Sequence, residues 1–262
     1  MDNYLDLNKK AWNRKTELHF DSKFYDVDGF RAGKNILPDI DLALLKDVKG
    51  KSLLHLQCHF GMDTMAIQRL GAQCTGIDLS DTAIDRANKL NAELELSCKF
   101  VCCDVYHVND HIKEEFDIVY TSYGTIGWLP DLDKWATIVA SRLKPGGKFI
   151  FSEFHPVVWM FDYEFEKVAY NYFKDQAIIE EETGTYSNPN HPESFTTASW
   201  NHSISEVLTA LLNVGLKIEE FKEYDYSPYD CFKGTKKLEE MKYVIEKHEG
   251  KLPMVYSIVA TK

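Results

Sequence analysis

The stretch SLLHLQCHFGMDTMAIQRLGAQCTGIDLS, residues 52–80, decides how the rest of the chain is read. Its opening apolar run, Leu53 to Cys58, is too short for a helix and fits a buried strand. Gly61 breaks the run, and Met62, Met65, Ala66 and Leu70 then recur at helical spacing up to Gly71, a C-terminal stop. A second strand, Cys74 to Leu79, carries Asp78 near its end. The spacing predicts one βαβ unit, with a turn open to a ligand at the carboxyl end of the first strand and a carboxylate one strand over. A glycine at such a turn lets a ligand approach the backbone, and the free N–H groups of the helix start face it. Asp78, seventeen residues after Gly61, stands where a carboxylate accepts hydrogen bonds from both hydroxyls of a ribose.

The alternation continues downstream. Ser80 caps a helix marked by Ile84, Ala87, Leu90 and Leu94, and Cys98 to Val105 reads as a third strand with Asp104 near its end. Phe116 to Tyr123 is a fourth strand. Asp131 caps a helix on which Leu132, Trp135, Ala136, Val139 and Leu143 share a face, Lys144 to Gly147 turns the chain, and Lys148 to His155 is a fifth strand. Past His155 the alternation stops. Val168 to Phe173, Gln176 to Glu181 and Phe195 to Trp200 are strand-like around the turn chemistry of TGTYSNPNHPES, which predicts an inserted antiparallel segment at about 157–202. Ser203 and Glu206 form a capping box for a helix closed by Gly215. Leu216 to Tyr224 and Met254 to Lys262 are the last strands, and the segment around Tyr243 between them is ambiguous. Ahead of the first strand, Leu5 to Leu18 and Pro38 to Val48 read as helices flanking an aromatic loop.

Composition narrows the class. With 262 residues, 44% hydrophobic and 27% charged, the chain suits one globular domain with insertions. A net charge of −11 with no basic tract argues against nucleic acid as the main partner. No apolar run reaches the length of a membrane span, and the start MDNYLDLNKK has no apolar signal region. The six cysteines Cys58, Cys74, Cys98, Cys102, Cys103 and Cys231 form no CxxC pair, which points to a reduced, cytoplasmic protein.

The segments LHLQCHFGMDT, GIDLS, YTSYGTIGWLPDLDKW and EFHP together resemble the class I S-adenosylmethionine (SAM)-dependent methyltransferases of the bacterial small-molecule type, over roughly residues 50–156 and 203–262. The resemblance implies an α/β fold: a Rossmann-like, seven-stranded mixed sheet with helices on both faces, a reversed last strand and, here, an inserted antiparallel β segment. It implies a domain at 50–262 and a helical cover at 1–49 in which Trp12, Phe24, Tyr25 and Arg31 either fold over the cofactor or pack the segment down. On the glycine turn of that family, His55 takes the place of an acidic residue, Gln57 and His59 stand at the first two glycine places, and Gly61 matches. The turn must therefore either adopt a non-glycine conformation or shift slightly. Asp78 with the adjoining Leu79 would bind the ribose. Asp104 with Val105 would meet the adenine, or Asp104 would only cap the next turn. Thr121 would border the methyl donor.

The expected cofactor is SAM and the expected partner a small molecule, taken by a monomer or homodimer. Tyr123, Trp128 and His155, with Tyr25 from the cover, are the expected acceptor rim. His155 has an ordinary pKa suited to a base, with Glu153 on the same strand face; the alternative is a histidine hydrogen-bonded at a strand end. A non-catalytic nucleoside-binding domain of the same fold is the other functional reading. His55, His59, Cys58, Cys102 and Cys103 could also be read as soft metal ligands, but no paired spacing supplies four ligands, so no metal is expected. A dinucleotide oxidoreductase would carry G-x-G-x-x-G, which is missing.

Overall fold

The computed structural model describes residues 4–262. Seven strands form one sheet: β1 (Ser52–His55), β2 (Gln73–Asp78), β3 (Lys99–Cys102), β4 (Phe116–Ser122), β5 (Leu143–Phe154), β8 (Lys217–Tyr224) and β11 (Val255–Thr261). They lie in the order β3-β2-β1-β4-β5-β11-β8. The first five are parallel, and β11 runs antiparallel to both β5 and β8. The inner parallel strands β1 and β4 are buried on both faces, so they read as apolar runs and not as alternation, whereas β3 at the edge is only partly buried.

Helices cover the two faces. On one, α7 (Leu132–Arg142) and α8 (Ile204–Asn213) press Trp135, Val139, Val207 and Leu211 against Leu54, Leu56, Phe149 and Phe151. On the other, α4 (Met62–Arg69) and α5 (Asp81–Glu93) pack Met65, Ile67, Ala83 and Leu90 with Leu53, Tyr120 and Ile150. The caps are those the sequence predicts: the side chains of Ser80, Asp131 and Ser203 accept from the N–H groups of Ala83, Lys134 and Glu206. Only half of the Ser203 box forms, because the Glu206 carboxylate turns to Lys174 and His202.

Several expected elements differ. The third strand ends at Cys102, since Asp104 caps a short 3₁₀ turn, Val105–His107. The fifth strand starts at Leu143 and includes the Pro-Gly-Gly residues. Val168 to Phe173 is no strand; it contributes one isolated bridge, Phe161 to Val168. The inserted hairpin is β6 (Ile178–Thr183) with β7 (Ser194–Ser199), and the ambiguous region around Tyr243 is a second hairpin, β9 (Thr235–Glu239) with β10 (Lys242–Ile245).

Ahead of the sheet lie α1 (Tyr4–Phe20), α2 (Val27–Arg31) and α3 (Asp39–Leu44). The two amide atoms of buried Asn8 pair with Ala198 N–H and C=O at 2.9 and 2.8 Å, extending the edge of β7 with a side chain. Asn13 accepts from the Ser80 hydroxyl at 2.6 Å, tying α1 to the start of α5. The N-terminal helix and the inserted hairpin thus form a joint cover over the carboxyl ends of β1, β2 and β4.

Gly61 is required twice over. Its φ is +76°, and a Cβ there would come within 2.4 Å of the Phe100 ring and 3.2 Å of Ala87. Gly61→Ala is therefore expected to destabilise the fold by about 1–3 kcal/mol, from left-handed backbone strain plus a clash that moves Phe100. A urea midpoint equal to that of the parent protein would contradict this.

Candidate active site

The turn after β1 shows how the missing glycines are accommodated. Gln57 and His59 both adopt left-handed backbone, with φ of 55° and 53°, and Gly61 follows at 76°. Three alternate residues thus take the conformation glycine adopts freely, at about 1–2 kcal/mol each for the two that carry a Cβ. Specific bonds hold them there. The Gln57 side-chain amide donates to Thr125 C=O at 2.9 Å, and His59 N–H donates to Asp78 Oδ2 at 2.8 Å. The other Asp78 oxygen accepts from Ser80 N–H at 2.8 Å. Asp78 stands at the tip of β2 against this turn, and burial pushes its carboxyl up to about 6 against the pull of those amides.

Thr125 is fixed in its turn by Glu153, which is 2% exposed. The Glu153 carboxylate accepts from Thr125 N–H (2.8 Å), Thr125 Oγ1 (2.9 Å), Ile126 N–H (3.2 Å), Phe154 N–H (2.7 Å) and Gly124 N–H. Trp128 closes the same loop, its indole N–H donating to Gly124 C=O at 2.7 Å.

Above the turn sits an aromatic layer. The His59 ring lies 5.5 Å from Trp12, 5.3 Å from His19, 5.4 Å from Tyr25 and 4.3 Å from Phe60, and Trp12 meets Trp128 edge-on at 5.4 Å. Tyr186, from the turn of the inserted hairpin, bonds Tyr25 hydroxyl to hydroxyl at 2.5 Å. Burial lowers the rings of His59 to about 3 and His19 to about 2, the latter helped by His59 and Lys15, so both are neutral near pH 7. Of the four expected rim residues, Tyr25 and Trp128 therefore meet one aromatic layer, joined through Trp12 and His59.

Tyr123 lies deeper. Its hydroxyl and that of Tyr120 each donate at 2.8 Å to the two oxygens of Asp41, a fully buried residue of α3. Asp63, in the first turn of α4, is near enough for the Asp41 charge to act on it; burial first, then that like charge, lift its carboxyl to about 7. Asp41 and Asp63 escaped the sequence reading. Asp41 falls on a short predicted helix where an acidic residue suggests solvent, and nothing local marks it as buried.

Three expected site residues are placed elsewhere. His155 is buried on the sheet face opposite Tyr120 and Asp41: its Nε2 meets Glu223 at 2.9 Å and its Nδ1 accepts from Val157 N–H at 3.2 Å, so both nitrogens are committed at the β8 side. Thr121 is fully buried and donates its hydroxyl to Leu56 C=O at 3.2 Å, bracing β4 on β1. Val105 points into the core beneath α7. Asp104 is a cap, accepting from Tyr106 N–H at 3.2 Å and meeting His107 Nδ1 at 3.0 Å; it and Leu79 remain partly exposed at the sheet's carboxyl edge. His55, buried beneath the turn, meets Thr64 Oγ1 at 2.8 Å. Among the described residues no three His, Cys, Asp or Glu side chains converge as a metal site.

Comparison with known proteins agrees with this geometry. Residues 54–151 match the family described as "Methyltransferase domain". A ubiquinone biosynthesis O-methyltransferase from Coxiella burnetii is 31% identical over 105 residues, 40% of this chain and 44% of the relative. The chain thus spans less than half the length of that curated relative. Among solved structures, an S-adenosylmethionine dependent methyltransferase from Mesorhizobium loti is 18% identical with a TM-score of 0.55, covering 85% of this chain and 98% of its own. The PH0226 protein from Pyrococcus horikoshii aligns with a TM-score of 0.58 at 15% identity, over 100% of this chain and 95% of its own. Both share the fold. Residues 54–151 thus match a methyltransferase domain, and the strand order gives the chain the fold of these solved structures, the Mesorhizobium loti one being S-adenosylmethionine dependent.

Because His155 faces away from the turn, His155→Gln is expected to leave SAM affinity within about twofold, as for a substitution away from the site. A tenfold loss by calorimetry would return His155 to the mouth of the site.

Proposed function

We propose that the chain transfers the methyl group of SAM to a small-molecule acceptor, in the cytoplasm. The observation that carries this reading is Asp78, a carboxylate at the tip of β2 held against a turn of three left-handed residues. Each carboxylate oxygen keeps a lone pair beyond its one backbone bond, as a ribose diol requires. On the β4 side of the same turn, Gln57 Oε1 is a buried acceptor with no partner, a fit for the ammonium donor of SAM. Asp104 and Leu79 would flank the adenine and His59 the turn side. Held there, SAM would supply a sulfonium methyl carbon to a nucleophilic lone pair of the acceptor.

The chain's own residues position and desolvate. Glu153 and Thr125 fix the turn, and α1 with the inserted hairpin excludes water over it, so catalysis is chiefly proximity. The O-methyltransferase relatives support a small acceptor over a polymer. No helix among the described residues is long and apolar enough to cross a membrane.

Asp78→Ala removes a charged acceptor of two hydroxyls and is expected to weaken SAM by about 1.5–3 kcal/mol. The protein with Asp78 intact should bind SAM best above pH 7 and progressively less below pH 6, because protonation near 6 removes acceptor capacity. Calorimetry showing pH-independent binding, or unchanged binding in the variant, would contradict the assignment.

A further inference from the structure

Two carboxylates lie in the deep part of the site without a cation. Asp41 is fully buried and accepts from the hydroxyls of Tyr120 and Tyr123 at the distances given above, with the Ser152 hydroxyl also acting on it, and all of these donors are neutral. Asp63 feels burial and the Asp41 charge, and no positive group acts on either residue. Buried carboxylates ordinarily have a counter-charge or bind metal, and no metal site forms among the described residues. The nearby cation from the cover, Lys15, is turned to Glu182 at 3.7 Å and to the Trp12 ring at 5.7 Å.

The surroundings are aromatic. The Asp63 charge reaches the phenols of Tyr25, Tyr120 and Tyr229, each pushed up first by burial. Tyr229 meets Tyr123 edge-on at 5.2 Å. Independent of the acids, two buried histidines present unpartnered nitrogens here. His55 Nε2 (residue 2% exposed) belongs to a ring 4.8 Å from Tyr120, and His19 Nε2 (0% exposed) to a ring stacked 5.5 Å from Tyr25. An orphaned buried nitrogen costs free energy unless a ligand meets it.

We propose that this pocket receives a basic amine as its ammonium ion, with Asp41 and Asp63 as counter-charges and Tyr25, Tyr120, Tyr123 and Tyr229 as a cation-binding wall. The proposal rests on the methyltransferase reading and names the acceptor class, a basic amine held by its ammonium group; for that nitrogen to take the methyl, its proton must first pass to a carboxylate such as Asp63, which frees the lone pair. The histidine and tyrosine neighbours are all silent near neutrality. His19, His55 and His59 are held neutral at about 2, 3 and 3, and burial lifts the four phenols well above 10; burial also raises the Asp41 carboxyl, against the pull of the hydroxyls that bond it. With Asp63 at about 7, attraction for a cation should rise between pH 6 and pH 8.

The test compares tyramine with 4-ethylphenol, which differ by the ammonium group, in calorimetry with S-adenosylhomocysteine present. Tyramine is expected to bind at least about tenfold more tightly at pH 8, the preference shrinking at pH 6. Asp63→Asn should abolish the preference while still binding S-adenosylhomocysteine, which shows that the variant is folded. Equal binding of the two probes by the parent protein at pH 8, or a preference that survives in Asp63→Asn, would overturn the proposal. If Asp63→Asn does not fold, the pH dependence in the parent protein decides: a preference unchanged from pH 6 to pH 8 overturns it. Failure of the parent protein to bind S-adenosylhomocysteine would instead overturn the methyltransferase reading and this inference with it.

Discussion

The carboxylate of Glu153, buried at the end of β5, organises the mouth of the sheet. Four of its five bonds take hydrogens from residues 124–126, which carry the chain away from β4. That loop presents Thr125 C=O to Gln57, and the turn it steadies presents His59 N–H to Asp78. A continuous set of hydrogen bonds therefore runs from β5 through the β4 loop and the β1 turn to the tip of β2. The bond from His59 to the Asp78 carboxylate contributes about 1.5–3 kcal/mol and the neutral Gln57 bond to Thr125 about 0.5–1.5 kcal/mol, against about 1–2 kcal/mol for each strained non-glycine residue. The polar network replaces what glycine supplies by conformational freedom alone.

Much of the scaffold was legible because apolar spacing and capping residues are local. Met62, Met65 and Ala66 mark α4, Ser80 and Asp131 cap their helices, and Gly61 breaks the strand where its own left-handed φ is needed. Asp78 was legible from its distance to that glycine. The β9–β10 hairpin was not, because TKKLE is a polar, exposed strand without alternation. His155 shows a subtler limit. Strand alternation correctly pairs it with Glu153, but alternation does not say which way the shared face looks. Here that face runs across β11 to β8, where Tyr256 stands between Glu153 and Glu223 in register, and His155 joins Glu223.

The acceptor side was hidden for a different reason. Tyr123 stood on the expected rim, but Asp41, Asp63 and Tyr229 come from α3, α4 and the loop after β8, and they meet it only because the cover folds back over the sheet. No spacing rule predicts such a meeting. The cover has the same character: Asn8 fastens α1 to β7, Tyr186 reaches Tyr25 from the hairpin turn, and aromatic edges fill the interval above His59.

The central claim is that Glu153 sets the cofactor turn through a chain of bonds ending at Asp78. A double-mutant cycle on S-adenosylhomocysteine affinity, with Glu153→Gln, Asp78→Asn and the pair, measures it most directly. The account predicts a coupling of about 0.5 kcal/mol or more between two residues on strands that are not neighbours. Losses that add to within about 0.3 kcal/mol would show that the two carboxylates act independently, and would contradict it.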